Sequence, residues 1–227
     1  DVDPLKVSSV GRPECANLSD LFKTEKIINS GPRDDPTFRR CRDSNYPSLE
    51  KREATFYTPT LEEKEAAAKI AAAGDANLYA AMLSIISKEQ PSSMPGFNPS
   101  GIQLDNSGGF AGVSQDDFDY QTCFRDNGGD QRIFAGFETL ERGMLAFAKI
   151  LRSKNLPKPS NPVNVTLDSV NLADWYFSRW NLALTSKELS ELKTQGFTIR
   201  KGTKYERDWL GTQQTFKKQL EKYGGTT

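Results

Sequence analysis

Between Gln90 and Asp130 the sequence carries seven Gly and three Pro among many Asn, Asp and Ser, with no sustained hydrophobic period. A stretch of about forty such residues is too long for an ordinary connection in a compact domain, and irregular segments of that length often carry function. Whatever the chain folds into must be organised around this segment. The flanks are helical in pattern, so a loop or short hairpin region set between helices is expected.

The helical signals are local. Thr60-Leu61-Glu62-Glu63 has the form of a capping box, and the Ala-rich run Glu65–Ala73 has strong helix propensity up to Gly74. Asp75 is placed to cap a second helix from Ala76 to about Glu89, with Leu78, Met82, Ile85 and Ile86 on one buried stripe. Thr60–Ala73 itself reads by default as a solvated surface helix, the alternative being that it pairs with another helix. After the Gly-rich segment, Leu140, Met144, Phe147, Ala148 and Leu151 repeat at helical spacing, and Gly143 inside that helix suggests a close contact. Pro157 to Pro162 reads as a connection. Asp168 opens a helix containing Leu172, Trp175, Tyr176 and Trp180, Thr185 to Glu188 forms another capping box ahead of a stop at Gly196, and a last helix spans about Tyr205–Tyr223. Trp175, Trp180 and Trp209, the three tryptophans, are expected in the core.

Residues 1–59 differ in character. They are rich in Pro, Asp and Arg and nearly free of periodicity, so they read as an extended segment preceding a domain over 60–227. The expected fold class is mainly α: a helical domain with a Gly-rich loop or small hairpin lining a cleft, plus that N-terminal extension.

Composition narrows the chemistry. Thirty basic and thirty acidic side chains leave no net charge, so no footprint for nucleic acid or an anionic bilayer is present. No apolar run reaches about ten residues, so neither a membrane span nor a signal peptide is expected. The chain begins at Asp1 and not at Met, so a processed or trimmed chain is expected. Histidine is absent, which removes Ser-His-Asp and Cys-His relays and imidazole zinc sites. Cys15, Cys41 and Cys123 are too few for a four-thiolate metal site; Cys15 and Cys41 either bridge the N-terminal region or all three remain thiols. Acid–base work must then fall to carboxylates.

Glu89 is the candidate. It continues the apolar stripe of its helix and falls at the C-terminal end, where lost hydration and the partial negative charge of the helix end both disfavour its ionised form. A carboxyl group kept protonated near neutral pH is what a general acid requires.

Downstream of Glu89-Gln90 come Asn98-Pro99 and then Ser107-Gly108-Gly109-Phe110-Ala111-Gly112-Val113-Ser114-Gln115. This order resembles the soluble lytic transglycosylase and goose-type lysozyme branch of the lysozyme-like superfamily. In that branch a helix-end Glu-Ser precedes an Asn and a Gly-Ala-x-Gly-Leu-Met-Gln turn that crosses the glycan cleft. The segment from Phe134 to Ala148 is similar to one found in phage and bacterial wall-lytic domains. The resemblance spans roughly residues 76–152 and departs from the pattern at Gln90, at Ser114, and in the missing Asn-Ala-Tyr motif, whose place Tyr176 or the Trp175–Trp180 cluster is the nearest match to fill.

The resemblance implies a peptidoglycan-cleaving enzyme, a lytic transglycosylase or muramidase, that cuts the β-1,4 bond after N-acetylmuramic acid without metal or cofactor. Glu89 would act as acid and then base. Gly108, Gly109 and Gly112 would let backbone approach the glycan, and Asn98, Gln115 and Tyr120 would contact it. Asp105, Asp116 or Asp117 would orient water if hydrolysis is the outcome. Residues 1–59 would dock the enzyme on a larger virion or secretion assembly, and the location would be the virion, periplasm or cell wall. The alternative is an inactive structural or glycan-binding protein that keeps the fold.

Overall fold

The computed structural model describes residues 27–28, 41, 44–89, 93–105, 112–125, 131–156, 167–180, 194 and 206–223. The elements run β1 (Ile27–Ile28), β2 (Lys51–Arg52), β3 (Thr55–Tyr57), α1 (Leu61–Ala72), α2 (Ala76–Glu89) and β4 (Met94–Pro95). A 3-10 turn at Gln115–Asp117 leads into the hairpin β5 (Tyr120–Arg125) and β6 (Gln131–Gly136). Then come α3 (Leu140–Ser153), α4 (Ser169–Trp175), a π-type turn at Tyr176–Trp180, a second at Glu206–Leu210, and α5 (Gly211–Tyr223).

The expected mainly α class is overturned. Besides the helices there are two three-stranded sheets, one ordered β1-β3-β4 and one ordered β2-β5-β6, so the fold is mixed α and β. The first is antiparallel; in the second, β2 lies parallel to β5 while β5 and β6 pair antiparallel from Tyr120↔Gly136 to Arg125↔Gln131. Four of the six strands have three residues or fewer. Strands that short carry no readable period of two. The hairpin, in contrast, brackets the sequence Asp126-Asn127-Gly128-Gly129-Asp130, a run rich in turn residues.

The same pairings join the N-terminal segment to the remainder. β2 and β3 both precede Thr60, Asn45 N–H donates to the Leu104 carbonyl at 2.8 Å, and Cys41 forms a disulfide with Cys123 across 82 residues. The described residues ahead of Thr60 are therefore built into one body with the helices, and the boundary expected at residue 59 does not separate them. The bridge expected between Cys15 and Cys41, and the alternative of three free thiols, are corrected as well: Cys41 takes Cys123, and Cys15 lies outside the described residues.

Helix ends follow local chemistry. The Thr60 hydroxyl accepts from Glu63 N–H at 3.2 Å while Glu63 accepts from Thr60 N–H at 2.6 Å. Asp75 accepts from Leu78 N–H, Thr139 from Arg142 N–H, and Asp168 from the N–H groups of Val170 and Asn171. The expected last helix begins later, at Gly211, behind the second π-type turn. The capping box at Thr185 to Glu188, the stop at Gly196 and the Pro157–Pro162 connection lie outside the described residues.

α2 is the centre of the core. Leu78 and every residue from Ala80 to Ile86 are buried, because Ala80, Ala81 and Ser84 are small enough to admit neighbours on the sides opposite the expected stripe. α1 and α5 pack against it, with α3 touching both α1 and α2. α1 is not a solvated surface helix: Ala67, Ala68, Ala71 and Ala72 are buried, and Arg152 of α3 donates to the carbonyls of Ala71 and Ala72 at its C-terminal end. On α3 the stripe of Leu140, Met144, Phe147, Ala148 and Leu151 is wholly buried.

Candidate active site

The Gly-rich segment is held by a corner at residues 96–102. Gly96 and Phe97 both adopt positive φ, +54° and +51°, and Asn98 turns its side chain into the corner they create. Its amide donates to the carbonyls of Ile102 and Ala135, each at 3.0 Å, and accepts from the N–H groups of Ile102 and Ser100 at 2.8 and 3.4 Å. Asn98 is fully buried. With both donors and its acceptor engaged, it staples the corner to β6, and no polar atom is left to meet a sugar.

Two glycines make this corner possible. A Cβ on Gly143 would stand 2.2 Å from the Phe97 carbonyl oxygen, so α3 closes on the corner only where the side chain is missing. Gly143 does serve close contact, but with a loop. A Cβ on Gly136 would stand 2.1 Å from the Tyr120 ring. Tyr120 is accordingly buried over Gly96 and Gly136, with the Arg52 guanidinium 4.5 Å from its ring centre. Burial, reinforced by Tyr57 and Glu138, pushes its hydroxyl well above the ordinary tyrosine range. It is a core residue and not a sugar contact.

Glu89 is the last residue of α2 and is half-buried. The hydroxyl of Tyr176, which opens the π-type turn after α4, donates to Glu89 Oε1. Tyr176 is itself 1% exposed, held edge-on by Phe177 and by Phe216 of α5. A carboxylate oxygen on the end of one helix is thus fixed by a phenol locked between two others. Gln90 lies outside the described residues.

The Gly112 turn rests on the far end of α3. Gly112 has φ +75°, and a Cβ there would sit 3.3 Å from Ser153 Cβ. Gln115 is exposed and accepts from the Ser48 hydroxyl, which ties the turn to the N-terminal segment. Asp116 is exposed. Asp117 accepts from Lys149 Nζ at 2.7 Å and from Ser114 N–H at 2.7 Å. Its burial raises its acidity constant's midpoint, but the bonds from Lys149 and Ser114 outweigh that and hold the carboxyl below the usual range. Gly108 and Gly109 lie outside the described residues.

Beyond Ser153, Lys154 carries the contact on to Tyr176's turn. Its carbonyl accepts from Trp175 Nε1 at 3.0 Å, and its ammonium donates to the Arg179 carbonyl at 2.7 Å. Burial and, after it, the nearby Arg179 push Lys154 below the ordinary lysine range. The C-terminal end of α3 therefore supports both the Gly112 turn and the element that grips Glu89. Trp175 and Trp209 are buried as expected, while Trp180 is only partly covered.

Asp105 stands apart. Its side chain is completely buried, and its one ion pair is with Arg132 at 3.5 Å, too long for a hydrogen bond. Of the three acids expected to orient water, Asp105 is sealed, Asp117 is locked in a lysine pair, and only Asp116 is open.

The Tyr176 contact carries a faint sequence signal, a tyrosine on the buried face of a Trp-rich helix, but nothing near Tyr176 points to residue 89. Among the described residues no group of three or more Cys, Asp or Glu side chains is arranged to hold a metal ion, and no helix is long and apolar enough to cross a membrane. No protein-family model matches the chain, and neither the curated proteins nor the solved structures provide a match.

Proposed function

We propose that the chain cleaves glycan strands of peptidoglycan, with Glu89 giving a proton to the glycosidic oxygen and recovering one in the following step. The observation that carries this reading is the hydrogen bond from buried Tyr176 to half-buried Glu89 at the end of α2. A group that is acid in one step and base in the next must hold position in both states. A phenol donor steadies the carboxylate left after proton delivery and keeps the group aimed. The motif order from Glu89 to Gln115 supports the reading, through its resemblance to the lytic transglycosylase and goose-type lysozyme branch.

Two of the three candidate second carboxylates are occupied elsewhere, which leaves only the exposed Asp116 for a two-carboxylate route and supports one-acid chemistry by resemblance. With Asp105 sealed and Asp117 ion-paired, the second partner of a two-carboxylate hydrolase is not at hand in either. In the one-acid route the Glu89 proton passes to the bridging oxygen as the C1–O bond breaks, and the sugar's own acetamido oxygen closes on C1. Carboxylate Glu89 then takes the proton of the 6-hydroxyl as that oxygen displaces the acetamido group, giving a 1,6-anhydro end. Proton and electron pairs return to their starting places.

The Cys41–Cys123 disulfide suits an oxidising setting, which agrees with a virion, periplasmic or cell-wall location. Residues 1–59 are proposed to meet a virion or secretion assembly.

The second reading, a glycan-binding or structural protein without activity, draws on Asn98 and Tyr120. Two residues matched to the glycan site are core residues instead. Incubating purified sacculi with wild-type protein and with Glu89→Gln, and analysing the released muropeptides, separates the readings. Anhydro ends released by wild type alone support the transglycosylase; new reducing ends support a hydrolase; no release by either supports the inactive protein.

A further inference from the structure

Each of the three tryptophans has a different fate for its indole N–H. Trp175 donates to the Lys154 carbonyl at 3.0 Å and Trp209 to Asp174 Oδ1 at 3.1 Å. Trp180 makes ring contacts alone: it lies against Trp175 with ring centres 6.4 Å apart at 22°, meets Phe147 edge-on at 5.3 Å, and has the Lys154 ammonium 5.5 Å from its ring centre. Among the described residues its N–H has no hydrogen-bond partner. It is also the one tryptophan of the three that reaches solvent.

A large amphipathic ring that is braced from behind and partly open, with a donor unspent, is poised to receive a ligand at little ordering cost. Its place in the fold says which ligand. Tyr176 and Trp180 open and close one π-type turn, so the backbone that carries the ring is one turn on from the residue that grips Glu89. We infer that Trp180, with Lys154 beside it, forms a subsite for an N-acetylated sugar ring of the glycan strand. The apolar face of a pyranose would rest on the indole, and the indole N–H would donate to its acetamido or hydroxyl oxygens. The inference rests on the reading of the chain as a glycan-strand cutter.

The test uses the full chain with Glu89→Gln to prevent turnover, and the N-acetylglucosamine tetramer as probe. In a ¹H–¹⁵N spectrum the indole resonance missing from Trp180→Phe identifies Trp180, and the other two indole resonances report that the fold is intact. The tetramer is expected to shift the Trp180 resonance and leave the other two in place. Trp180→Ala should weaken binding by about tenfold or more, and Trp180→Phe, which keeps a ring and loses the donor, by less. An unmoved Trp180 resonance at saturation, unchanged affinity in Trp180→Ala, or no tetramer binding at all would overturn the subsite. Failure of the enzymatic reading looks different. Wild type that binds through Trp180 but releases nothing from sacculi sinks the activity and leaves the subsite standing, whereas cleavage with unchanged kcat and KM in Trp180→Ala sinks the subsite alone.

Discussion

Tyr176 donates its hydroxyl hydrogen to Glu89 Oε1 across 87 residues of sequence, joining the end of α2 to the turn that follows α4. A hydrogen bond to a charged group contributes about 1.5–3 kcal/mol. Tyr176→Phe keeps the ring between Phe177 and Phe216 and removes only this donor. Cleavage of sacculi should fall by about ten- to a hundredfold, and by more than the folded fraction falls, while the thermal midpoint drops by no more than the loss of one such bond allows. Full activity in the phenylalanine variant would sever the hydroxyl from the chemistry.

Asn98 predicts a stability effect in place of a binding effect. Asn98→Asp keeps the shape, removes two donors, and buries a charge facing the Ile102 and Ala135 carbonyls. Urea unfolding should show a loss of roughly 3 kcal/mol or more. Unchanged stability together with weakened glycan affinity would return Asn98 to the sugar site.

Gly143→Ala asks how firmly α3 is pressed on the corner. The added methyl would meet the Phe97 carbonyl, a backbone atom held by the Asn98 staple. Overpacking of this kind costs about 1–3 kcal/mol, read as a lowered denaturant midpoint. Alanine at Gly74, where a Cβ meets nothing, is the control for space, although its φ of +86° still carries strain.

The disulfide assignment is checked by peptide mapping without reduction. A fragment linking Cys41 to Cys123 is expected, and one linking Cys15 to Cys41 is not. Closing a loop this long restricts the unfolded chain by about 4–5 kcal/mol in the chain-entropy picture, so Cys123→Ser should lower stability by up to that amount.

Acid sensitivity follows from Asp117. Its folded midpoint lies below the ordinary value of 3.8 because the bonds from Lys149 and Ser114 outweigh its burial. The stabilisation is complete above the unfolded value and is lost as pH falls through the folded one. The Lys149 side chain is 47% exposed, so solvent screening keeps the pair's worth below about 1 kcal/mol. Lys149→Met should lower stability near pH 7 slightly, within that bound, and leave it nearly unchanged well below pH 4, so that the acid limb of the profile flattens. An equal loss at both would show that packing, not charge, is at stake.

What the sequence made legible is what neighbours in sequence decide. The caps at Thr60, Asp75 and Asp168 each need a side chain within three residues of the helix it closes, and the α3 stripe needs only the helical period. Strands of two residues have no period, and the pairing of Lys51 with Gln121 depends on chain seventy residues away. Cys41–Cys123 is legible only after that pairing is known. At the site, Glu89 was placed at its helix end by periodicity, but its partner came from a helix that no local pattern orients. Asn98 and Tyr120 read as sugar contacts because polar and aromatic residues beside glycines commonly are. Their burial depends on Gly96, Gly136 and Gly143 drawing the hairpin and α3 together.

The parallel seat of β2 beside β5 bears on how the protein is handled at the bench. A recombinant version trimmed to begin at Thr60 would uncover β5 at Gln121 and Thr122 and strip β4 of its neighbour, leaving unsatisfied amide and carbonyl groups as templates for self-association. Expression vectors that retain residues from Cys41 onward should yield monodisperse material where the shorter ones yield inclusion bodies.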